Sequence, residues 1–371
     1  MGRPRSVGVE EELLLVDTGT GRARAVAGAV LGPDTDVLAA DIRQPGNKAL
    51  KAELQCEQVE TGTKPCTSLD ELEAEIRRWR RAASERAGRV GAAVAALATS
   101  PLPVEPSLSP SPRYRRMAEE FGLTAQEQLT CGCHVHVEVA SAEEGVAVLD
   151  RIRPWLAPLV ALSANSPFWQ GRDTGYCSYR SQVWGRWPSA GPVERFGSAR
   201  AYRSAVRAML DSGTILDEGM VYFDARLSRR YPTVEIRVAD VCLDAEDTVL
   251  IAALVRGLVM TAIRDWHAER PPAEIRTALL RLAGWRAARS GLDGQLVHPL
   301  TLTPAPAEVV THALLHHVGE ALWECGDLDL VSARLSKVHR RGNGAQVQRA
   351  AWKAHGDLSG VVAEAMSRTS A

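Results

Sequence analysis

Lysine is scarce in this sequence: five occur among 371 residues, at positions 48, 51, 64, 337 and 353. Arginine supplies nearly all of the positive charge, and 44 basic residues are balanced by 45 acidic ones. A chain without excess charge has no overall field that would attract nucleic acid or an anionic membrane, so neither partner is expected. Arginine does suit paired contacts with carboxylate or phosphate groups in a pocket.

Long apolar segments are also lacking. The most apolar run, TVLIAALVRGLVMTAI, is shorter than a membrane span and contains Arg256, so it predicts a buried helix. The first residues lack the apolar core of a signal peptide. Seven scattered cysteines differ from the dense frameworks of secreted scaffolds. We therefore expect a soluble, cytoplasmic protein with reduced thiols.

Glycine-rich nucleotide motifs are absent as well. The sequence contains neither GxxxxGK[ST] nor GxGxxG, so it supports neither a P-loop nor a Rossmann site. Any nucleotide must therefore be bound through metal ions and arginine side chains.

Strands and helices are interspersed along the chain. Three segments predict strands: 7–17, 131–139 and 232–241. A capping box at Ser68 and Glu71 predicts a helix to about Leu97. Further helices are expected at 143–164 and 246–266, the latter capped by Asp244, with loops at 100–112 and 165–192. From about residue 245 the chain reads as mostly helical.

The strands alternate apolar and polar residues, which favours an antiparallel sheet with helices on one face. We therefore predict an α+β fold. No internal repeat or compositional break divides the chain, so residues 1–371 are expected to form a single domain.

The segment CGCHVHVEV (131–139) first suggests a zinc site. In a strand, however, residues two apart share a face. Cys131 and Cys133 then fall with valines on the apolar side, whereas His134 and His136 fall on the other side. The cysteines and histidines could meet in one tetrahedral site only if the strand were broken. We therefore favour apolar packing for the cysteines over a Cys/His zinc site.

The other two strands show the same division. Glu10 and Glu12 share one face of the first strand, and Glu235 and Arg237 share one face of the last. Glu11 is on the apolar side, an exception that suggests a sheet edge. Ordinary solvation could explain any one strand. Three faces of carboxylate, imidazole and arginine instead indicate a cation site, and oxygen ligands favour Mg²⁺ or Mn²⁺.

A further acidic cluster lies in KAELQCEQVETGT (51–63). Glu53 and Glu60 are seven residues apart, so they would share a face of a helix but not of a strand. Glu57 could also belong to this cluster. The alternative is that these glutamates are ordinary surface residues.

Aromatic and arginine residues dominate residues 163–188. Arg172, Arg180 and Arg186 accompany Tyr176 in a segment without clear periodicity, which predicts a long loop. Arginines and aromatics can hold the anionic groups of a small substrate. A loop packed by its own tryptophans is the alternative, and the two interpretations are compatible.

Several blocks resemble the bacterial glutamate–cysteine ligase type 2 family of carboxylate–amine ligases. The resemblance covers about residues 6–350, in VGVEEELLLVD, ELQCEQVETGT, CGCHVHVEV, LSANSPFWQGRDTGYCSYRSQVWGRWP, ILDEGMVYFDARLSRRYPTVEIRVADVC and RGNGAQVQR. It implies the glutamine synthetase-like fold, a curved antiparallel sheet that forms an active-site cavity, with helices on its outer face. The implied cofactors are ATP and Mg²⁺, with Mn²⁺ as the alternative. A homodimer is implied by the resemblance alone.

The resemblance also implies roles for individual residues. The catalytic residues would be Glu235 and Arg237. The metal ligands would be Glu10, Glu12, Glu53, Glu60, His136 and Glu235. His134 and Arg237 would contact the nucleotide, although which of the two histidines touches metal stays open. Arg172, Tyr176, Arg180 and Arg186 are expected to bind substrate, an inference from their chemistry.

The implied reaction forms an amide between a carboxylate, by default the γ-carboxyl of glutamate, and an amine, by default cysteine, through an acyl phosphate. Cations would neutralise the phosphates, and the 100–112 or 163–188 loop would exclude water. Three alternatives remain: a ligase for another amino acid or amine, a phosphotransferase on the same scaffold, and a non-catalytic regulator lacking one of the ligands. None of the ligands is missing from the sequence.

Overall fold

The computed structural model describes residues 4–32 and 50–371. The strands are β1 Val7–Asp17, β2 Leu50–Ala52, β3 Gln58–Gly62, β4 Ala92–Ala95, β5 Gly132–Glu138, β6 Phe168–Trp169, β7 Arg172–Asp173, β8 Ala225–Leu227, β9 Thr233–Asp240, β10 Gln295–Val297 and β11 Pro304–Pro306. The helices are α1 Ala27–Leu31, α2 Leu69–Arg89, α3 Pro112–Phe121, α4 Leu123–Gln126, α5 Ala142–Ile152, α6 Leu156–Ser163, α7 Arg180–Trp184, α8 Ala199–Asp211, α9 Ala245–His267, α10 Thr277–Ser290, α11 Ala307–Cys325, α12 Leu328–Arg341, α13 Gly344–His355 and α14 Leu358–Thr369.

An antiparallel sheet of seven strands organises the described chain, in the order β2-β3-β1-β5-β9-β8, with β4 paired to the end of β1. The three strands predicted from alternation lie side by side at its centre. Glu10 of β1 is opposite His134 of β5, and His136 is opposite Glu235 of β9. The polar rows of these strands therefore share one face of the sheet.

Helices cover the opposite, apolar face. Val9, Val135 and Ile236 are almost fully buried and belong to one core with the apolar residues of α2, α5 and α9. Cys131 and Cys133 are buried in the apolar cores as well, as predicted. Removal of these rows from water is the main favourable contribution to sheet–helix packing. The prediction of an α+β fold with helices on one face is confirmed.

The helix after Ser68 ends earlier than the sequence indicated. The Ser68 side chain caps α2 by accepting a hydrogen bond from the Glu71 amide, but α2 stops at Arg89. Gly91 then adopts a left-handed φ of 68°, and the chain continues as β4 beside β1. The predicted end at about Leu97 is wrong because pairing with β1 outweighs the helical spacing of the apolar residues.

Glu11 does not mark a sheet edge, so that prediction is wrong. β1 has β3 on one side and β5 on the other. The Glu11 carboxylate accepts hydrogen bonds from Arg80 of α2 at 2.9 and 2.6 Å and from the Thr248 hydroxyl of α9 at 2.7 Å. Glu11 and Arg80 are both almost fully buried. This ion pair joins the central strand to two of the helices behind it.

The remaining helical predictions are largely confirmed. The stretch at 143–164 is two helices, α5 and α6, separated by a 3₁₀ turn at Arg153–Trp155 that contains a proline. Asp244 is the N-cap residue of α9, but its carboxylate pairs with Arg341 of α12 at 2.6 Å. Six helices, α9–α14, make up most of the chain after residue 245. Over the described ranges, no helix combines the length and apolarity needed to cross a membrane.

Candidate active site

Two groups of three potential metal ligands lie on the polar face of the sheet. Within each group, one ligand atom per residue lies within 4.8 Å of the others. We call Glu10, His136 and Glu235 the first triad, and Glu12, Glu53 and Glu60 the second triad. All six were expected to be metal ligands, and the structure brings them together as two sets.

The second triad is built by the β2–β3 hairpin and β1. Glu60 on β3 lies opposite Glu12 on β1, and Glu53 directly follows β2. The spacing of Glu53 and Glu60 is therefore explained by a turn between strands rather than by a helix. Glu57 is not part of the triad, because its carboxylate accepts a hydrogen bond from the Ser107 amide at 3.0 Å and so fixes the 100–112 loop.

His136 lies beside Glu10, and both of its ring nitrogens are close to polar atoms. Its Nδ1 lies 3.0 Å from the Thr233 hydroxyl, and its buried Nε2 lies 3.5 Å from the Glu10 carboxylate. When Nδ1 donates to Thr233, the Nε2 lone pair faces Glu10, so a cation between them could take both as ligands. Burial opposes the charged ring, but the hydrogen bond and charge of Glu10 outweigh it and raise the pKa of His136.

His134 has a different environment and lies outside both triads. Its Nδ1 is 3.4 Å from Nη1 of Arg237. Because a guanidinium can only donate, Nδ1 is the acceptor and Nε2 carries the proton. Burial and the Arg237 charge lower the pKa of His134 to about 4, so the ring is neutral near pH 7. The geometry therefore groups His136, rather than His134, with the potential metal ligands.

Two arginines hold Glu235. Arg226 of β8 makes a paired contact, with Nε and Nη2 at 2.8 and 3.1 Å from the two carboxylate oxygens, and Arg237 also bonds to it. Burial opposes ionisation, but the charges of Arg237 and Arg226 outweigh it and lower the pKa of Glu235. Arg226 was not among the site residues predicted from the sequence. Its position in the strand directly before the Glu235 strand could have indicated it.

The second triad has fewer cations near it. Burial, together with the charges of Glu60 and Glu12, raises the pKa of Glu53 well above its usual range. Burial also raises the pKa of Glu12, although Arg180 opposes that rise. Lys51 of β2 contacts Glu60 at 2.6 Å and Glu10 at 3.4 Å. Lys51 was not among the site residues predicted from the sequence. The rarity of lysine in this chain could have drawn attention to it.

Arg180 is the substrate-binding candidate that lies closest to the polar face. Its guanidinium packs against Gly132, where even a Cβ atom would collide with it. It also lies 3.9 Å from the buried Asp240 and 5.7 Å from the Trp184 ring. Arg180 is almost fully buried, and it packs beneath the polar face at the first residue of β5.

The other three candidates do not join Arg180 in one cluster. Arg172 is exposed on the β6–β7 hairpin. Tyr176 packs edge-on against Trp285, beside a cavity of about 460 Å³. Arg186 is exposed and pairs with Glu127. The 165–192 segment is mostly loop, as predicted, but it also contains the short β6–β7 hairpin and the helix α7. The burial of Trp187 agrees with a loop packed by its own tryptophans.

Solved structures share this fold. The chain aligns over its full length with 89% of a glutamate–cysteine ligase from Francisella tularensis in complex with AMP, at a TM-score of 0.73 and 14% identity. Over 98% of its length it aligns with 52% of a bifunctional glutathione synthetase from Pasteurella multocida, at a TM-score of 0.68 and 15% identity. These likenesses show the fold alone, and they confirm the expected mixed architecture of antiparallel sheet and helices.

The sequence matches are much stronger. A model of glutamate–cysteine ligase family 2 matches residues 6–364. A protein of Streptomyces avermitilis, provisionally named glutamate–cysteine ligase 2-1, is 57% identical over 98% of this chain and 99% of its own. One from Streptomyces coelicolor, provisionally named glutamate–cysteine ligase 2, is 56% identical over 99% of both chains. Fold and matches together define the class of protein, a carboxylate–amine ligase. The chain belongs to glutamate–cysteine ligase family 2.

Proposed function

We propose that this protein uses ATP and Mg²⁺ to join an amino-acid carboxylate to an amine through an acyl phosphate. The default pair is the γ-carboxyl of glutamate and the amine of cysteine, the reaction for which the family is named. One observation carries the proposal: two triads of metal-competent ligands lie side by side on the sheet, next to the buried cation of Arg237. The solved glutamate–cysteine ligase of similar fold that contains AMP supports nucleotide binding by this chain.

The residues present fit divalent ions. The second triad offers only carboxylate oxygens, the ligands that Mg²⁺ prefers, and the first adds one imidazole, which Mn²⁺ also accepts. The buried Nε2 of His136 lies 3.5 Å from the Glu10 carboxylate, so a cation between them could bind both groups. When bound, divalent ions would supply positive charge against the phosphate oxygens of ATP.

The chain's own residues support phosphoryl transfer beside these ions. Arg237 is buried and permanently charged. We therefore assign it to the phosphoryl group during transfer, where it stabilises negative charge. His134 is neutral with its proton on Nε2, so it can donate a hydrogen bond to the nucleotide. The amine then attacks the acyl carbon, inorganic phosphate leaves, and the nitrogen loses a proton to a nearby carboxylate or to water.

Two loops border the polar residues and would keep water from the acyl phosphate. The 100–112 loop is fixed through Glu57 and Ser107, next to the second triad. The 163–188 loop is fixed through Ser178, whose hydroxyl donates to Asp240 at 2.8 Å. Of the four residues expected to bind substrate, we assign Arg180, which packs against Gly132 of β5, to the substrate side of the site. Exclusion of water matters because an acyl phosphate hydrolyses readily.

The test is ADP release from Mg-ATP with a panel of amino acids, offered singly and in pairs. We expect release only when a carboxylate and an amine are both present, together with an amide product. Carboxylate labelled with ¹⁸O should pass one labelled oxygen to phosphate, because the acyl phosphate forms there. If no pair raises ADP release over buffer, the ligase proposal is wrong.

The same panel separates the alternatives. A ligase for another amino acid or amine releases ADP with a different pair. A phosphotransferase yields a phosphorylated product without an amine. We further propose one domain over 1–371, a homodimer and a cytoplasmic location. A single calorimetric transition, a mass from light scattering and cell fractionation test these in turn.

A further inference from the structure

Lys51 joins the two triads. It lies on β2 opposite Glu60 of β3, and its ammonium is 2.6 Å from the Glu60 carboxylate. The same ammonium is 3.4 Å from Glu10, which lies one strand further on. Residue 62, which pairs with Glu10, is a glycine, so no side chain stands on β3 at that position. One cation thus contacts a ligand from each triad.

The other basic side chains of the site are distributed unevenly. Arg226 and Arg237 both contact Glu235, so the first triad has two further cations. Within the described ranges, Lys51 is the basic residue that forms an ion pair with a carboxylate of the second triad. A lysine ammonium is a compact charge on a flexible stem, so it can move by a few ångströms without displacing the backbone.

We propose that Lys51 is a tethered cation that competes with divalent metal for Glu10 and Glu60. The inference rests on the proposed function, because it concerns how the same triads take up metal. In the metal-free chain, the ammonium holds together carboxylates that would otherwise repel one another. A divalent ion that binds Glu10 or Glu60 meets the charge of the ammonium, so Lys51 opposes its binding. Lys51 is therefore a positioning residue that weakens the binding of free metal.

Competition between Lys51 and the metal ion predicts that removing the lysine charge strengthens metal binding. A single charge near a divalent ion in a partly buried site opposes binding, so Lys51→Met should bind Mn²⁺ at least about tenfold more tightly. Lys51→Arg keeps the charge and should bind Mn²⁺ like the unchanged chain. Lys64→Met is the matched control, because Lys64 forms an exposed pair with Glu71 at 2.6 Å and should leave Mn²⁺ affinity unchanged.

The experiment measures Mn²⁺ binding by calorimetry and by the electron paramagnetic resonance signal of free Mn²⁺, without ATP or amino acids. Tighter binding by Lys51→Met but not by Lys51→Arg supports the inference. Equal or weaker binding by Lys51→Met, or no Mn²⁺ binding by either protein, overturns it. A thermal melt of each metal-free variant shows whether it is folded; if Lys51→Met is unfolded, Lys51→Gln replaces it under the same criteria.

The outcome is independent of the ligase test. If the unchanged chain forms amide but Lys51→Met binds Mn²⁺ no more tightly, only the present inference fails. If Lys51→Met binds Mn²⁺ more tightly but no carboxylate–amine pair releases ADP, only the proposed function fails.

Discussion

At the scale of single residues, the site is shaped by which cation faces which carboxylate. Glu235 is buried, yet two arginine contacts keep its pKa low and its charge intact. Glu53 lies among other carboxylates, and burial together with their charges raises its pKa. Carboxylates that lie close together in one site thus have pKa values shifted in opposite directions, because their cation contacts differ.

Glu235→Gln should reduce Mg²⁺-dependent turnover by at least about 100-fold, because it removes a metal ligand and leaves Arg226 and Arg237 facing a neutral amide. ADP release measures the effect, and circular dichroism checks the fold. Glu71→Gln is the control, since Glu71 forms an exposed pair with Lys64. Full activity in Glu235→Gln would falsify the assignment of the sheet face as the active site.

Asp224 provides a pH test of stability. Burial raises the pKa of Asp224 to about 6, with Arg281 opposing the rise. A carboxyl whose pKa is higher in the folded state than unfolded stabilises the fold at low pH, and that contribution is lost as pH rises through about 6. Relative to Asp224→Asn, the natural chain should lose about 1–2 kcal/mol of unfolding free energy between pH 4 and pH 7.

Urea unfolding of the metal-free protein at each pH measures this difference. Asp211→Asn serves as the control, because Asp211 is exposed on α8 and pairs with Arg207 at the surface. The difference in unfolding free energy between Asp211→Asn and the natural chain should not change with pH. If the difference for Asp224→Asn did not change with pH either, the prediction would be contradicted.

At the scale of elements, the sheet is fixed to its helices by a buried charge pair as well as by apolar packing. Arg80 of α2 binds Glu11 of β1 and also donates to the backbone carbonyls of Cys242 and Leu243, just before α9. A buried pair of this kind fixes register and orientation more than it adds stability. Its position directly behind Glu10 and Glu12 means that it also fixes the strand from which both triads take a ligand.

Arg80→Met should destabilise the protein by about 3–5 kcal/mol, because it leaves the buried Glu11 carboxylate without its cation. Urea unfolding measures the change. Arg80→Met combined with Glu11→Leu should recover part of the loss, since no unpaired charge then remains. Arg78→Met, which removes an exposed pair with Glu75, should cost less than about 1 kcal/mol. A small loss in Arg80→Met would show that the pair does not hold the strand.

At the scale of the whole molecule, the site depends on metal to offset carboxylates that folding brings together. The second triad combines one ligand from β1 with two from the β2–β3 hairpin, and the first combines β1, β5 and β9. Folding therefore concentrates five carboxylates that come from three separate parts of the chain. A ligand that binds only the folded state stabilises it by mass action.

Mg²⁺ at 100 times its dissociation constant should raise the unfolding free energy by about 2.7 kcal/mol, and chelation by EDTA should remove this gain. A thermal melt with and without metal measures it. Glu12→Gln combined with Glu60→Gln should reduce the metal response, because both belong to the second triad, while the first triad stays intact. An equal response in this double variant would exclude the second triad as the metal site.

Much of the fold could be predicted from the alternation of apolar and polar residues along the strands. The segments VGVEEELLLVD, CGCHVHVEV and TVEIRVAD each divide into an apolar and a polar row, and all three became neighbouring strands. The end of α2 could not be predicted in this way. Val94 suits both a helix face and a strand, and its place in β4 depends on a free edge at the end of β1.

The site was predicted as a set of residues but not as two triads. Periodicity gives the face of a residue in its own strand, so Glu10 and Glu12, or His134 and His136, look equivalent in the sequence. Register separates them, since His136 lies opposite Glu235 whereas Glu12 lies opposite Glu60.

The sequence by itself determined which residues face the core and which face the site, because that follows from the two-residue period of a strand. It also determined the family, through blocks of matching residues. Tertiary structure alone decided that Arg80 neutralises Glu11, that Arg226 holds Glu235 and that Lys51 joins the two triads. The reason is that charge pairing depends on distances between atoms far apart in the chain, and those distances exist only after folding.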